Sequence, residues 1–214
     1  NSLKKMLRRN FDGYEPDRLF LLNKMPKYGN DDDTVDLIAQ DVANFCSDEV
    51  SKYTTFRNGE YCIGVHSENG HVVFGFVTGA TPDGRKQMEP YSIGAGSSRG
   101  REKKGYTASL KSFSKLDNSK VISGVSVNLR FNPTLFNSTE KIQRFKNMIL
   151  AYFFDLNGQN LQATVVDAET LKLAQQFPED YHDLLVRISG YSARFVELTK
   201  ITQDEIISRT EFQS

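Results

Sequence analysis

The sequence predicts an α/β fold, and three features of its patterning carry that prediction. Ser123 to Phe131 alternates, with Val125, Val127 and Leu129 on one side and Ser126, Asn128 and Arg130 on the other, the period of a half-buried strand. Two further apolar stretches of strand length follow, Leu161 to Val166 and Leu184 to Ile188. Segments of helical spacing lie before and between them: Val35, Ile38, Val42 and Phe45, then Ile142, Phe145, Ile149 and Tyr152. No internal repeat, low-complexity tract or interdomain linker interrupts the pattern.

Local signals place the elements in order. Asp17 to Met25 predicts a short helix stopped by Pro26, and Pro26 to Asp33 a loop with a turn at Gly29-Asn30. Asp31, Asp32 and Asp33 suit the N-terminus of the next helix, which is expected to run to about Tyr53; a metal cluster is the weaker reading. Cys46 and Cys62 sit in apolar surroundings and are expected to be packed free thiols. His66 and His71 flank a turn-like tetrad, too few ligands for a metal. Gly79 to Lys86 and Gly94 to Gly100 are expected to be ordered loops, neither with the glycine spacing of a phosphate cradle. Arg99 to Lys104 is expected to be a solvated basic surface.

Thr107 to Leu116 predicts a helix. Asn137 with Glu140 has capping-box spacing ahead of the helix that Gly158 closes. Asp167 is expected to cap Ala168 to Gln176, and Thr202 with Glu205 to form a second capping box for the last helix.

Composition removes several functions. Of 214 residues 38% are hydrophobic, including 15 Phe and 9 Tyr, enough for a substantial core. Lys plus Arg equals Asp plus Glu at 27 each, so there is no electrostatic footprint for nucleic acid or an anionic membrane. No apolar run reaches membrane-spanning length. Two cysteines make no disulfide framework, and a reducing cytoplasm is the expected setting. The chain starts Asn-Ser-Leu-Lys-Lys-Met, without an initiator Met or signal peptide, and the expectation is that residues precede it.

The stretch Leu184 to Ile188 breaks at Ser189-Gly190 before a second apolar run at Phe195 to Leu198. Alone, a glycine there is a turn residue accepting positive φ. Its surroundings are more specific. Arg187-Ile188-Ser189-Gly190-Tyr191-Ser192-Ala193, then Phe195-Val196-Glu197-Leu198, then Gln203 to Glu211, resembles the C-terminal signature of the glycyl radical enzymes, the pyruvate formate-lyase-like superfamily. Pro26-Lys27-Tyr28-Gly29-Asn30-Asp31 and Gly79-Ala80-Thr81-Pro82-Asp83-Gly84-Arg85-Lys86 resemble two other blocks of that family, in its order. Ser192-Ala193 and Thr81 to Lys86 look more like the dehydratase, choline lyase, arylacetate decarboxylase and benzylsuccinate synthase side than like pyruvate formate-lyase. Glu89 to Gly96 departs from the loop expected of a diol dehydratase, and Phe212-Gln213-Ser214 is not diagnostic.

The resemblance implies an anaerobic radical lyase or dehydratase that cleaves C–C, C–O, C–N or C–S bonds. The implied fold is the C-terminal portion of a ten-stranded α/β barrel, with residues 1–135 in the barrel part and 136–214 in the glycyl radical domain. Gly190 is the implied radical storage residue, and Arg187, Ser189, Tyr191 and Ser192 support its loop. Removing a Cα hydrogen leaves a radical that can flatten and delocalise into both flanking amides, and glycine has no side chain to oppose this. The loop is therefore expected in a buried pocket shielded from oxygen.

No cofactor is held permanently and no metal is implied. The radical is a modification installed by a separate activating enzyme with an iron–sulfur cluster and S-adenosylmethionine. The other implied partners are a small-molecule substrate, a Cys-bearing N-terminal part or subunit, and in one arrangement a second copy in a homodimer. Cys46-Ser47-Asp48 only loosely echoes the family's thiyl-forming motif and Cys62-Ile63-Gly64 does not match it, so that cysteine is expected in the upstream part. The alternative is a stand-alone radical carrier that repairs a damaged enzyme.

Overall fold

Among the described residues a parallel pair of strands and an antiparallel hairpin form the sheets. The computed structural model describes residues 2–209; Thr210 and Glu211 of the signature, and Phe212 to Ser214, lie outside the described residues. The helices α1 (Ser2–Arg8), α2 (Glu15–Asn23), α3 (Asp33–Val50), α4 (Gly70–Val77) and α5 (Tyr106–Ser114) come first. Then follow β1 (Asn128–Phe131), α6 (Thr139–Leu150) running into a π-helical turn at Ala151–Asp155, β2 (Gln162–Val165) and α7 (Ala168–Gln176). The hairpin β3 (Leu185–Arg187) and β4 (Ser192–Arg194) precedes α8 (Lys200–Ile207). The class is α/β, as the periodicity predicts. No helix among the described residues is long and apolar enough to cross a membrane.

Strands β1 and β2 are parallel, in register from Asn128 with Gln162 to Phe131 with Val165. The connection through α6 makes a β-α-β unit, the usual way to join parallel neighbours. Val65 adds a parallel bridge to Val125, carrying the residue 63–67 loop alongside the strand. The alternation predicts one solvated face for residues 123–131; instead 125–131 are buried throughout. The polar face is internal and most of its groups are partnered, although Asn128 Oδ1 has no hydrogen-bond partner among the described residues. Asn128 donates to Ser126 Oγ at 2.9 Å, and Arg130 reaches the end of α8.

Capping signals predict element starts well but mislocate two of them. Asp32 accepts from Thr34 N and Asp167 from Thr170 N, as expected. The cap of α6 is Ser138, not Asn137, and that of α8 is Thr199, not Thr202. Glu205 consequently lies inside α8, buried, rather than in a capping box. Asp31, Asp33 and Asp36 converge on Lys115 Nζ at 2.9, 2.7 and 2.8 Å, and Lys111 lies 3.4 Å from Asp31, so lysines partner these carboxylates. Among the described residues no group of three or more His, Cys, Asp or Glu could hold a metal ion.

Three further expectations are corrected. The apolar stripe of α3 is exposed, with Ile38, Val42 and Phe45 more than half accessible, while Asp36 and Ala43 face inward. Cys46 lies on this stripe and is exposed; Cys62, in an extended segment outside any sheet, is exposed too. The basic run is partly structural. Arg99 donates to Ser208 Oγ at 2.6 Å and Arg101 to the Leu22 carbonyl at 3.2 Å, while Lys103 and Lys104 stay in solvent.

Two apolar cores result. The larger packs Leu110, Phe113, Val127, Leu129, Phe131 and Tyr152 around β1; the smaller packs Leu171, Val186, Ile188, Phe195 and Ile206 under the hairpin. Arg130 spans them from β1, donating to the carbonyls of Ile206, Ile207 and Arg209 at 3.1, 3.0 and 2.7 Å. These carbonyls end α8, where helix geometry leaves acceptors unpaired and the dipole favours a cation. Arg209 in turn donates to the carbonyls of Arg187 and Ile188 at 2.6 and 3.0 Å, fastening the base of the hairpin.

Glu205 balances these cations. Burial alone would raise its pKa, but the facing His71, 3.6 Å away, and the charge and hydrogen bonds of Arg209 outweigh it and hold the carboxyl down at about 2. A depressed carboxyl contributes stability that is fully present above its unfolded value of 4.5 and is lost as pH falls towards 2. Denaturant unfolding followed against pH should therefore show the native chain more stable than Glu205→Gln by on the order of 3 kcal/mol at pH 7. That gap should close between pH 4.5 and 2.

Candidate functional site

Gly190 occupies the tip of the β3–β4 hairpin, where strand pairing fixes its surroundings. Val186 pairs with Ala193 and Arg187 with Ser192, and the Ile188 N–H donates to the Tyr191 carbonyl at 2.9 Å. The turn leaves Gly190 at φ +87°, a conformation L side chains rarely adopt. A Cβ built there would meet no atom within 4 Å. The glycine is thus required by backbone conformation, and its Cα is open to approach.

Both peptide groups of Gly190 are held. Its N–H donates to Gln162 Oε1 at 2.9 Å, and its carbonyl accepts from Arg187 at 3.1 Å. Arg187 Nε also donates to Gln162 Oε1 at 2.9 Å, and another of its nitrogens to Ser192 Oγ at 3.2 Å. Gln162 is itself placed by the parallel pairing of β2 with β1 and donates to Ser126 Oγ at 3.3 Å. The tip is therefore gripped from the sheet by one amide side chain and from the hairpin by one guanidinium.

The neighbouring residues divide into an inner and an outer set. Ser189 is buried, with its Oγ 3.4 Å from Ser67 Oγ. Phe195 is fully buried in the smaller core. Tyr191 is 40% exposed, and its hydroxyl accepts from Asn69 at 2.9 Å. Ser67 is in turn 3.3 Å from His71 Nδ1 and accepts from the Gly94 N–H at 3.1 Å. Gly94 is a second position that only glycine fills, because φ is +54° and a Cβ would collide with the Ser126 carbonyl.

The expected burial of the glycine is not what the chain displays. Gly190 is exposed at the rim of an open groove of about 350 Å³, lined also by His66, Glu68, Ser126, Gln159 and Gln162. Strands do flank it on both sides, but among the described residues no element covers its outer face. The sequence-predicted residues Arg187, Ser189, Tyr191 and Ser192 do surround Gly190. His66 faces the groove, whereas His71 turns inward to Glu205, and Cys46 and Cys62 do not line it. Gln162, Ser67 and Asn69 went unrecognised in the sequence. Polar residues in a strand and a turn carry no motif, and only the fold brings them to the tip.

Comparison with known proteins places this geometry. The family model for the glycine radical matches residues 91–196, and that for pyruvate formate lyase-like proteins matches residues 1–75. The trans-4-hydroxy-L-proline dehydratase of Clostridioides difficile is 40% identical over 211 residues, 99% of this chain and 26% of that protein. The probable dehydratase YbiW of Escherichia coli K12 is 39% identical, over 98% of this chain and 27% of that protein. The solved glycerol-bound form of the B12-independent glycerol dehydratase from Clostridium butyricum superposes with a TM-score of 0.93 at 41% identity, over 98% of this chain and 26% of that one. The chain thus spans about a quarter of the length of the relatives it matches, on the dehydratase side of the superfamily. The chain, with Gly190 at its hairpin tip, belongs to the glycyl radical enzyme family.

Proposed function

We propose that this chain is the radical-bearing part of an anaerobic dehydratase in which Gly190 stores the radical. The observation that carries the reading is the hairpin tip. There a glycine at φ +87° has both amides clamped and its Cα unobstructed, inside a segment matching the glycine radical family model. An activating enzyme using an iron–sulfur cluster and S-adenosylmethionine takes one Cα hydrogen atom from Gly190. The unpaired electron stays on Cα and spreads into the amides that Gln162 and Arg187 hold. In turnover Gly190 recovers a hydrogen atom from a cysteine thiol, leaving a thiyl radical that attacks substrate. Arg187, Ser189, Tyr191 and Ser192 support the loop throughout.

That cysteine lies on the part of the enzyme that these residues do not include, since neither Cys46 nor Cys62 reaches the groove. We assign residues 1–135 to the last part of a ten-stranded barrel and 136–214 to the radical domain, working in an oxygen-free cytoplasm. The substrate is a small hydroxylated molecule losing water by C–O cleavage. The three relatives support this, since each is named a dehydratase. A stand-alone radical carrier needs little beyond the hairpin and its packing, and the match across residues 1–75 favours the barrel reading instead.

Anaerobic activation of the full protein should give a glycyl doublet in electron paramagnetic resonance that Gly190→Ala abolishes. The alanine has room, and its positive φ costs only about 1–2 kcal/mol, so the variant folds. A doublet surviving in it would sink the assignment. Gln162→Ala removes the bonds to the Gly190 N–H, to the Arg187 guanidinium and to Ser126 Oγ, each worth about 1–2 kcal/mol, and should lower the radical yield roughly tenfold without loss of fold.

A further inference from the structure

Behind Ser189 lies a chain of polar side chains that the storage role does not by itself require. Ser189 Oγ is 3.4 Å from Ser67 Oγ, and Ser67 Oγ is 3.3 Å from His71 Nδ1. His71 Nε2 is 3.6 Å from Glu205 Oε2. Arg209 donates to both Glu205 oxygens, at 3.3 and 3.0 Å, and to the carbonyls of Arg187 and Ile188. The path leaves the hairpin at Ser189 and returns to it two residues earlier. It passes through the residue 63–67 loop, α4 and α8, and the His71 and Glu205 side chains are each 1% exposed.

The donor and acceptor inventory gives this ring a direction. The Glu205 carboxylate, held by Arg209, only accepts, and the His71 nitrogen that faces it at 3.6 Å, beyond hydrogen-bond reach, is matched to it when that nitrogen carries the hydrogen. Nδ1 is then the acceptor, and the hydrogen-bond partner beside it is the Ser67 hydroxyl. Ser67, donating to His71, accepts from the Gly94 N–H and from the Ser189 hydroxyl. With the hydrogen on the His71 nitrogen that faces Glu205, the hydroxyl hydrogens of Ser189 and Ser67 run away from Gly190 and towards His71.

We infer that His71 is a positioning residue for Gly190, acting through Ser67 and Ser189 on the peptide unit that joins residues 189 and 190. That unit is one of the two amides flanking the glycine Cα. Gln162 holds its N–H end, and the Ser67–His71 path holds the side chain at its other end. A Cα radical spreads into an amide only when the two planes align, so an orientation fixed at both ends controls how far it spreads. This use of the network rests on the proposed storage role; the positioning of the loop does not.

Paired substitutions separate positioning from packing. An asparagine at residue 71 can place an acceptor near Nδ1, a glutamine can place a donor near Nε2, and neither does both. Hydrogen–deuterium exchange of the full, unactivated protein reads the loop directly. Ser67→Ala and His71→Gln should speed exchange of the Ile188 and Gly190 amides about tenfold while leaving β1 protected, and His71→Asn should stay closer to native. Unchanged exchange at the tip in Ser67→Ala and His71→Gln, or an equal rise at the tip and in β1 in all three, overturns the inference. After anaerobic activation, Ser67→Ala and His71→Gln should give a doublet of altered splitting or shorter lifetime, and a native doublet in both counts against it. Absence of a doublet in the native protein would fail the storage role instead, and the exchange result would still decide the positioning.

Discussion

Buried cations set against backbone carbonyls hold this chain in its working arrangement. Arg130 projects from β1, in the larger core, into the acceptors that end α8, and Arg209 continues from there to the carbonyls at the base of the hairpin. Neither core touches Gly190 directly, yet the two guanidiniums fix the height of the hairpin above the sheet. A buried guanidinium is tolerated only where its donors are satisfied, and carbonyls at a helix terminus supply acceptors and negative potential together. Glu205 completes the arrangement by offsetting the positive charge within the same buried volume. Removing any one of the three exposes the others to an uncompensated burial cost.

With the hairpin so placed, a small number of side chains decide what its tip can do. Gln162 offers one oxygen to two donors, the Gly190 N–H and Arg187, so the sheet and the hairpin share a single acceptor. The Gly190 Cα stays unobstructed, with no atom within 4 Å of where a Cβ would lie. The same chain exposes the apolar stripe of α3 and, on α4, Val73, Phe74 and Val77. Exposed glycine and exposed apolar helices fit a segment that spans about a quarter of the length of its relatives.

Periodicity and capping chemistry made most of the elements legible. Asp167 and the alternation around Val127 point to α7 and β1 because local hydrogen bonding and side-chain period act over a few residues. The same local rules fail where long-range partners intervene. Arg130 read as part of a solvent face because alternation cannot reveal that carbonyls 76 residues away will accept from it. Glu205 read as a cap because its spacing from Thr202 imitates one, while its carboxylate is held by Arg209 and faces His71 on another helix. The site was legible at Gly190 through family likeness, and illegible at Gln162 and Ser67, whose roles exist only once β2 and the residue 63–67 loop converge on the hairpin.

Mass spectrometry of the anaerobically activated protein, mixed with the proposed Cys-bearing part and then exposed to air, tests the central claim most directly. Oxygen adds to a backbone radical and cuts the chain where the unpaired electron resides. The account predicts cleavage at Gly190 with release of a short C-terminal piece. An intact chain after verified activation, or a cut at any other residue, would contradict it and leave Gly190 a turn glycine.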